Sequence, residues 1–347
     1  MTSSTKKVLT FEQAFNVRHN SLNFIRLVLA VAVLVGHVSG LTDGQTVRVG
    51  SESLGDWAVE GFFAISGFLI MRSRMSSPNL RSFMWRRVLR IYPAFFGALI
   101  VTAFVIAPVS IFVFGDGQFN LESSLGYFYK NASLVIVQPE IAGTLTGLDY
   151  PTWNAPLWTL AYEFGCYLFI GLLVTIVPAR AIRVSTVVAF ALALIVTAIT
   201  IVNPVIVPDP ISVFGRLGSF FLAGSLLSLF ESKVPVSWRV ASIAAICSIL
   251  LVWFQAFQFW GSIPMAYLML WLGTRLPFQK LGAKNDVSYG IYIYHWPALV
   301  LILVALEGNQ SPFWLTLVLT VALTVPLAIM SWFLIEKPSM SLKKLVR

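Results

Sequence analysis

The sequence predicts an all-α, polytopic membrane helix bundle of about ten transmembrane helices, with the N- and C-termini in the cytoplasm. Three observations support this fold class. Hydrophobic residues make up 57% of the 347-residue chain and charged residues only 11%, whereas soluble domains carry about a quarter charged residues. Long apolar runs recur along almost the whole chain. Basic residues are concentrated in every second connection between these runs.

Ten apolar runs are long enough, or nearly so, to cross a bilayer. They lie at 22–40, 57–74, 91–114, 155–178, 181–203, 211–230, 238–256, 259–277, 287–306 and 312–335. The chain therefore divides into an N-terminal tail at 1–21, a transmembrane domain at 22–335 and a basic C-terminal tail at 336–347. The longest connection that does not span the membrane is 115–154.

The basic residues set the orientation. If the N-terminus is cytoplasmic and the spans alternate, 20 of the 24 Lys and Arg residues fall in cytoplasmic segments or at the cytoplasmic ends of spans, among them Lys6, Lys7 and Arg347. The positive-inside rule thus favours ten spans and cytoplasmic ends. The polar-rich residues before the first apolar run show no clear small-residue cleavage site, so the first helix is predicted to be uncleaved. The net charge of +9 follows membrane topology, so no nucleic-acid partner is predicted. Cys166 and Cys247 both fall in apolar runs, which predicts neither a disulfide framework nor a metal site.

The first apolar run carries two polar residues, Arg26 and His37. They are eleven residues apart, close to three helical turns, so they share one helix face roughly 16 Å apart along the axis. Ionisable groups inside a membrane are costly and need a partner or a wet cavity. Apart from arginines at the cytoplasmic ends, six such groups fall within the predicted spans: Arg26, His37, Glu60, Glu163, Arg216 and His295. Structural ion pairing is one interpretation, but six are many for that purpose, so we interpret the set as functional.

His37 is the best candidate for chemistry, because imidazole takes and returns a proton near neutral pH. The alternative is a packing residue. Glu163 lies with Tyr162 at the outer start of the fourth run, and a carboxylate there can orient an imidazole. The alternative interpretation of Glu163 is a structural one, in which the helix dipole favours a carboxylate near the N-terminus of the helix. His295 ranks below His37, since it is equally interpreted as a hydrogen-bonding residue between helices.

Six arginines occupy the predicted cytoplasmic loop at 72–92. Arg86, Arg87 and Arg90 stand at its end, at the mouth of the third run. The guanidinium group presents a bidentate fork that suits phosphate. The alternative is topology charge together with contact to anionic lipids. The density of arginines favours phosphate binding.

Seven separated pieces of sequence then occur in the order found in one known family. They are Arg26 with His37, FFAISGFLI around Ser66, RVLRIYP from Arg87, WTLAYE ending at Glu163, Arg216 with Phe221 and Gly224, SYGIYIYHWP, and FLIEKP. On these motifs the chain resembles the acyltransferase-3 family, integral membrane proteins that O-acylate bacterial surface carbohydrates. The resemblance extends from residue 21 to residue 338. It implies the stand-alone form, without the C-terminal hydrolase-like domain of some members. NFIR and AYEF depart from the family pattern and leave the acceptor open.

The resemblance implies transfer of an acyl group, usually acetyl from acetyl-CoA, to a hydroxyl of a polysaccharide or glycolipid such as O-antigen or exopolysaccharide. Acetyl-CoA or another acyl-CoA is then a donor substrate, and no bound cofactor is expected. The implied setting is the bacterial inner membrane, where the chain is multi-pass and contacts lipid. Self-association into a homo-oligomer is left open.

Site roles follow from the same resemblance. Arg87 and Arg90, with Arg86, would hold the CoA phosphates. His37 would act as general base or carry the acyl group, and Glu163 would orient or assist it. The remaining predicted binding residues are Arg26 and Arg216, which would stabilise developing negative charge or position the substrates, together with Ser66, Tyr162 and His295.

Two other functional classes remain open from the sequence. A carrier or flippase for a glycolipid precursor would use the same buried groups as a permeation path. A structural subunit of a polysaccharide assembly complex is a weaker alternative. Transfer of label from acetyl-CoA to polysaccharide separates the enzyme from the carrier.

Overall fold

The computed structural model describes residues 8–42, 46–306, 308 and 310–346. Within these ranges the regular structure is helical except for one short hairpin, in which β1 (Arg48–Val49) pairs antiparallel with β2 (Glu52–Ser53). The predicted all-α class is therefore confirmed. Lys6, Lys7 and Arg347, which entered the prediction of orientation, lie outside the described residues.

Eleven helices of at least eleven residues build the described part of the chain. In order they are α1 (Leu22–Leu41), α2 (Leu54–Met75), α3 (Leu80–Phe114), α4 (Leu121–Asn131), α5 (Trp158–Ile176), α6 (Ile182–Val202), α7 (Asp209–Leu229), α8 (Trp238–Trp253), α9 (Ser262–Arg275), α10 (Ser288–Ala305) and α11 (Phe313–Leu345). A π-helical turn interrupts α3 at Thr102–Ile106 and α11 at Trp332–Glu336. Shorter helical pieces lie at Phe11–Ala14, Ala155–Leu157 and Phe257–Trp260.

Eight of these helices are long and apolar enough to cross a membrane: α1, α2, α3, α5, α6, α7, α10 and α11. The chain is thus a multi-pass membrane protein. The predicted spans at 238–256 and 259–277 correspond to α8 and α9, which have only 16 and 14 residues. A full crossing needs about 20 residues. The expected ten spans are therefore eight full-length candidates and two shorter apolar helices.

The arginine-rich stretch is helical, which corrects the loop expected at 72–92. Helix α2 runs to Met75 and α3 begins at Leu80, so only residues 76–79 connect them. Pro78 disfavours a continuous helix there, while the Arg, Leu and Met residues that follow are good helix formers. With 35 residues, α3 is about 52 Å long and exceeds the roughly 30 Å hydrocarbon core. Its arginines thus occupy the first turns of a long, ordered helix.

The chain forms two compact units. Unit 1 comprises Met1–Leu29, Val59–Leu80 and Phe169–Lys284. Within it, α2 and α7 meet backbone to backbone through small residues. A Cβ atom at Gly67 would lie 1.8 Å from the carbonyl oxygen of Phe221, and one at Gly224 would lie 2.0 Å from that of Ala64. Such an approach requires glycine at both positions.

Unit 2 comprises Ala30–Ala58, Arg81–Leu168 and Asn285–Arg347. Helix α10 is its core element, because fifteen of the eighteen residues of this helix are buried. Close packing of α10 on α11 is possible because position 290 is glycine: a Cβ atom there would lie 2.9 Å from the Cα of Ala328. A helix buried on all sides holds its polar side chains among protein groups.

The connection predicted at 115–154 also belongs to unit 2 and is ordered by its own polar side chains. The Asp116 carboxylate accepts hydrogen bonds from the backbone N–H of Leu145. The Asn131 side chain donates to the carbonyl of Gln138 and accepts from its N–H. Near its end, the Thr152 carbonyl accepts a hydrogen bond from a side chain of α10. The connection therefore packs against the helix that carries the site.

Candidate active site

Two histidines from distant parts of the sequence meet in unit 2. Nδ1 of His37, on α1, lies 2.7 Å from Nε2 of His295, on α10. The rings are nearly parallel, with an interplanar angle of 8° and centroids 5.1 Å apart. The indole of Trp296 stands edge-on to the His37 ring at 4.9 Å. His295 is fully buried, whereas His37 is half-buried, so His37 is the member of the pair that a substrate can reach.

The hydrogen bonds assign a tautomer to each ring. Nδ1 of His295 lies 3.2 Å from the carbonyl oxygen of Ile291, and a carbonyl can only accept. Nδ1 of His295 therefore carries the proton, and its Nε2 accepts. His37 must then donate from Nδ1, which leaves the lone pair of His37 on Nε2. A ring held through Nδ1 with Nε2 unprotonated is the arrangement of a general base.

Further hydrogen bonds fix the surroundings of the pair. Nε1 of Trp296 donates to the Thr152 carbonyl at 2.7 Å. The hydroxyl of Tyr292, one turn before His295, lies 2.5 Å from Oγ1 of Thr159 and 3.1 Å from the carbonyl oxygen of Pro156. Sequence reasoning did not assign Trp296 or Tyr292 to the site. Both residues belong to the SYGIYIYHWP motif together with His295, so membership of this motif was the sequence signal that could have identified them.

A second group of polar residues surrounds Arg90. Its Nη2 donates to Oδ2 of Asp286 at 2.7 Å, and its Nη1 lies 3.6 Å from Oε2 of Glu336, which is only 2% exposed. The guanidinium also stacks on the ring of Tyr289, 5.6 Å from its centroid. Arg90 thus connects α3 to the start of α10 and to α11. A phosphate bound by Arg90 would compete with two carboxylates.

Arg87 has a different environment from Arg90. Its Nε is buried and has no hydrogen-bond partner among the described residues. The guanidinium lies 5.6 Å from the ring centroid of Phe83 and 5.9 Å from that of Tyr167. Nη1 of the neighbouring Arg86 donates to Oγ of Ser82 at 3.2 Å. A buried cationic donor without a partner is costly, and an anionic ligand would supply one.

One helix connects the two groups. On α10, Tyr289 lies against Arg90 and His295 lies against His37. These two positions are six residues apart, which corresponds to about 9 Å along the axis. The arginine group and the imidazole pair are therefore close along a single buried helix.

Glu163, expected to support His37, takes part in a hydrogen bond within its own helix, α5. It accepts a hydrogen bond from the hydroxyl of Tyr167, one turn further along α5. Tyr162 packs its ring edge-on against Trp158, with centroids 5.5 Å apart. Among the described residues, the hydrogen-bond partner of the His37 ring is the other imidazole. A catalytic role of Glu163 stays a prediction.

The other predicted site residues belong to unit 1. Glu60 is fully buried in α2, and Nη1 of Arg216, on α7, lies 3.9 Å from its Oε1. Ser66 precedes Gly67 at the close contact between α2 and α7. Arg26 lies in the first half of α1. The predicted binding roles of Arg26, Ser66 and Arg216 stay predictions.

Comparison with known families decides the class of protein. The profile of the acyltransferase domain, of the acyltransferase-3 type, matches residues 19–333. The chain belongs to this acyltransferase family. The match covers His37, His295 and the arginines Arg86, Arg87 and Arg90, so the enzyme class expected from the sequence motifs is confirmed.

Two relatives of this acyltransferase match over nearly their whole length, and a third matches over half of its length. An O-acetyl transferase of Shigella phage Sf6 is 27% identical over 92% of this chain and 96% of its own. Nodulation protein 10 of Rhizobium leguminosarum is 28% identical over 93% of this chain and 94% of its own. Peptidoglycan O-acetyltransferase OatA of Listeria monocytogenes is 25% identical over 81% of this chain and half of its own. No solved structure matches the chain.

Proposed function

We propose that this acyltransferase moves an acetyl group from acetyl-CoA to a hydroxyl of a cell-surface polysaccharide or glycolipid. The observation that carries the proposal is the His37–His295 pair, which leaves an unprotonated Nε2 on a half-buried ring. Two relatives named as O-acetyl or peptidoglycan O-acetyltransferases support acetyl as the group and carbohydrate as the acceptor class. The bacterial inner membrane is the proposed location.

In the proposed reaction His37 is the general base. Its Nε2 takes the proton of the acceptor hydroxyl while that oxygen attacks the carbonyl carbon of the thioester. A C–O bond forms, the C–S bond breaks, and its electron pair leaves on the CoA sulfur. The thiolate then recovers the proton from His37, so the products are the ester and free CoA. An acyl group carried transiently on His37 is the second route that the same ring allows.

His295 serves as a positioning residue in this mechanism. Its Nε2 accepts the hydrogen bond from Nδ1 of His37, so the ring of His37 keeps one tautomer and one orientation. When His37 becomes an imidazolium, the same hydrogen bond stabilises the added charge. Trp296 limits movement of the His37 ring from the side.

Arg87 is the proposed contact for the CoA phosphates. A buried Nε without a hydrogen-bond partner among the described residues provides a donor for a phosphate oxygen. Arg86, one residue before it, adds a second positive charge. Arg90 would act mainly by fixing α3 against α10, because Asp286 and Glu336 engage its guanidinium.

The remaining predicted residues have roles that rest on the family motifs. Arg26 and Arg216 would stabilise negative charge on the reacting carbonyl or position the substrates. Glu163 would assist the base, and Ser66 and Tyr162 would contact a substrate. Each role predicts a loss of transfer when the side chain is removed.

The decisive experiment follows labelled acetyl-CoA in membranes that contain the protein. Label should enter the polysaccharide fraction with the wild-type protein and with His19→Ala, whose exposed imidazole lies before α1. It should not enter with His37→Ala at equal membrane abundance. Full transfer by His37→Ala would overturn the assignment of the base. Movement of the glycolipid without label would favour the carrier instead.

A further inference from the structure

The N-terminal turn of α2 lies directly beside the reactive side of His37. A Cβ atom built at Gly55 would be 3.8 Å from Nε2 of His37, 3.7 Å from Oγ of Ser53 and 4.0 Å from the carbonyl oxygen of Val33. Three polar atoms therefore surround the space that a side chain at position 55 would take. This space is next to the nitrogen that carries the lone pair.

Two glycines bring these elements together. A Cβ atom at Gly36, one residue before His37, would lie 2.8 Å from the backbone nitrogen of Gly55. The backbone of α1 thus touches the first turn of α2. Ser53 fixes that turn, because its Oγ donates to Oδ2 of Asp56 at 2.7 Å and accepts from the Asp56 N–H at 3.0 Å. The turn beside Nε2 is therefore held in place by a backbone contact with α1 and by two hydrogen bonds between Ser53 and Asp56.

Steric fit does not explain glycine at position 55. Distances of 3.7–4.0 Å from a built Cβ are ordinary van der Waals contacts, so alanine would fit without displacing a neighbour. Alanine also has the higher helix propensity, and Gly55 does not have the positive φ angle that favours glycine. The effect of glycine here is to leave free space next to Nε2.

We infer that Gly55 is a specificity-determining residue that admits the acceptor hydroxyl to Nε2 of His37. The inference rests on the proposed function, because it takes His37 as the base. A hydroxyl in this space would donate its single proton to Nε2, because the Val33 carbonyl and Oγ of Ser53, which donates to Asp56, lack a proton to offer and do not protonate that nitrogen in its place. A methyl group at position 55 would occupy the same space and exclude a carbon-bound hydroxyl before it excludes water.

A chemical probe tests the geometry without any acceptor. Diethyl pyrocarbonate acylates accessible imidazole nitrogens, and the chain has three histidines. His19 is exposed and serves as an internal standard, whereas His295 is fully buried. In the purified protein, the extent of His37 modification relative to His19, read by mass spectrometry, should fall in Gly55→Ala. It should stay at the wild-type ratio in Gly147→Ala, where an added Cβ meets nothing within 4 Å. An unchanged ratio in Gly55→Ala would overturn the inference.

The second arm measures transfer and donor hydrolysis together in membranes with labelled acetyl-CoA. Gly55→Ala should lower transfer to polysaccharide about tenfold, as expected for one misplaced methyl group, while hydrolysis by water and the KM for acetyl-CoA stay near wild type. Equal loss of both reactions, or unchanged transfer, would contradict a role in acceptor choice. If His37→Ala retains full transfer, the proposed function itself fails. If His37→Ala is inactive and Gly55→Ala is normal, only the role of Gly55 fails.

Discussion

Nδ1 of His37 lies 2.7 Å from Nε2 of His295, so the proposed base is held by a neutral imidazole and not by a carboxylate. An imidazole is cheaper to bury than an ion, because no unpaired charge is left when the base is neutral. When His37 becomes an imidazolium, the neutral His295 can still accept the hydrogen bond from its Nδ1. The pair therefore suits a membrane interior, where a permanently charged partner would be costly.

Replacing His295 tests this arrangement. His295→Leu removes the acceptor for Nδ1 of His37, and kcat should fall by about 10²-fold or more, the usual contribution of a positioned base. The KM for acetyl-CoA should stay near wild type, since the arginine group is untouched. His295→Gln should retain more activity, because its amide oxygen can accept the same hydrogen bond. The pH–rate profile should change in His295→Leu and less in His295→Gln. Wild-type kcat in His295→Leu would contradict the positioning role.

Arg87→Met should weaken donor binding. Loss of one buried charge-assisted contact to phosphate should raise the KM for acetyl-CoA about tenfold, which corresponds to about 1.4 kcal/mol. The ring contacts to Phe83 and Tyr167 allow an apolar chain at this position, so the variant should still fold. Arg81→Met is the matched control, because Arg81 is an exposed arginine on the same helix. An equal rise in KM for both variants would indicate a general charge effect and not a site.

Arg90→Met should instead lower stability. It leaves Asp286 and Glu336 without their shared cation, and removing one partner of a buried ion pair costs about 3 kcal/mol. The midpoint of thermal unfolding in detergent should fall clearly below that of Arg87→Met. Adding Asp286→Asn to Arg90→Met should recover part of the loss, because one uncompensated charge is removed. A normal midpoint together with a raised donor KM would show that Arg90 binds phosphate after all.

The local parts of this fold were predictable from the sequence, and the long-range partners were not. Apolar runs and their length identify the membrane helices, and the eleven-residue spacing places Arg26 and His37 on one unbroken helix. His37 and His295, however, are 258 residues apart. Helical periodicity says which face of a helix is polar, but not which other helix covers that face. From its charge and its predicted depth in the membrane alone, Glu163 was an equally reasonable hydrogen-bond partner for His37.

The partners of Arg87 and Arg90 could not be predicted from the sequence either, although these two arginines are only three residues apart. Arg87 and Arg90 share one motif and one helix, yet Arg90 has two carboxylate partners and the Nε of Arg87 has none among the described residues. Asp286 and Glu336 lie about 200 or more residues away in the sequence, so only the packed bundle distinguishes the two arginines. The loop expected at 72–92 failed for a different reason. The connection between the second and third apolar runs was predicted as a loop, although most of its residues favour a helix.

Gly67→Ala tests the packing of unit 1 independently of the chemistry. The added Cβ would lie 1.8 Å from the Phe221 carbonyl oxygen and 3.0 Å from its Cα, so the clash is with backbone and cannot be relieved by a rotamer change. The helices must separate, which also strains the hydrogen bond from Oγ of Ser225 to the Gly67 carbonyl. Overpacking of this kind costs about 3 kcal/mol or more. The variant should aggregate at a lower temperature in detergent-solubilised thermal unfolding followed by size-exclusion chromatography. Gly147→Ala, which adds a methyl group in open space, should elute and unfold like the wild type. If Gly67→Ala unfolded at the wild-type temperature, α2 and α7 could not be in backbone contact at this position.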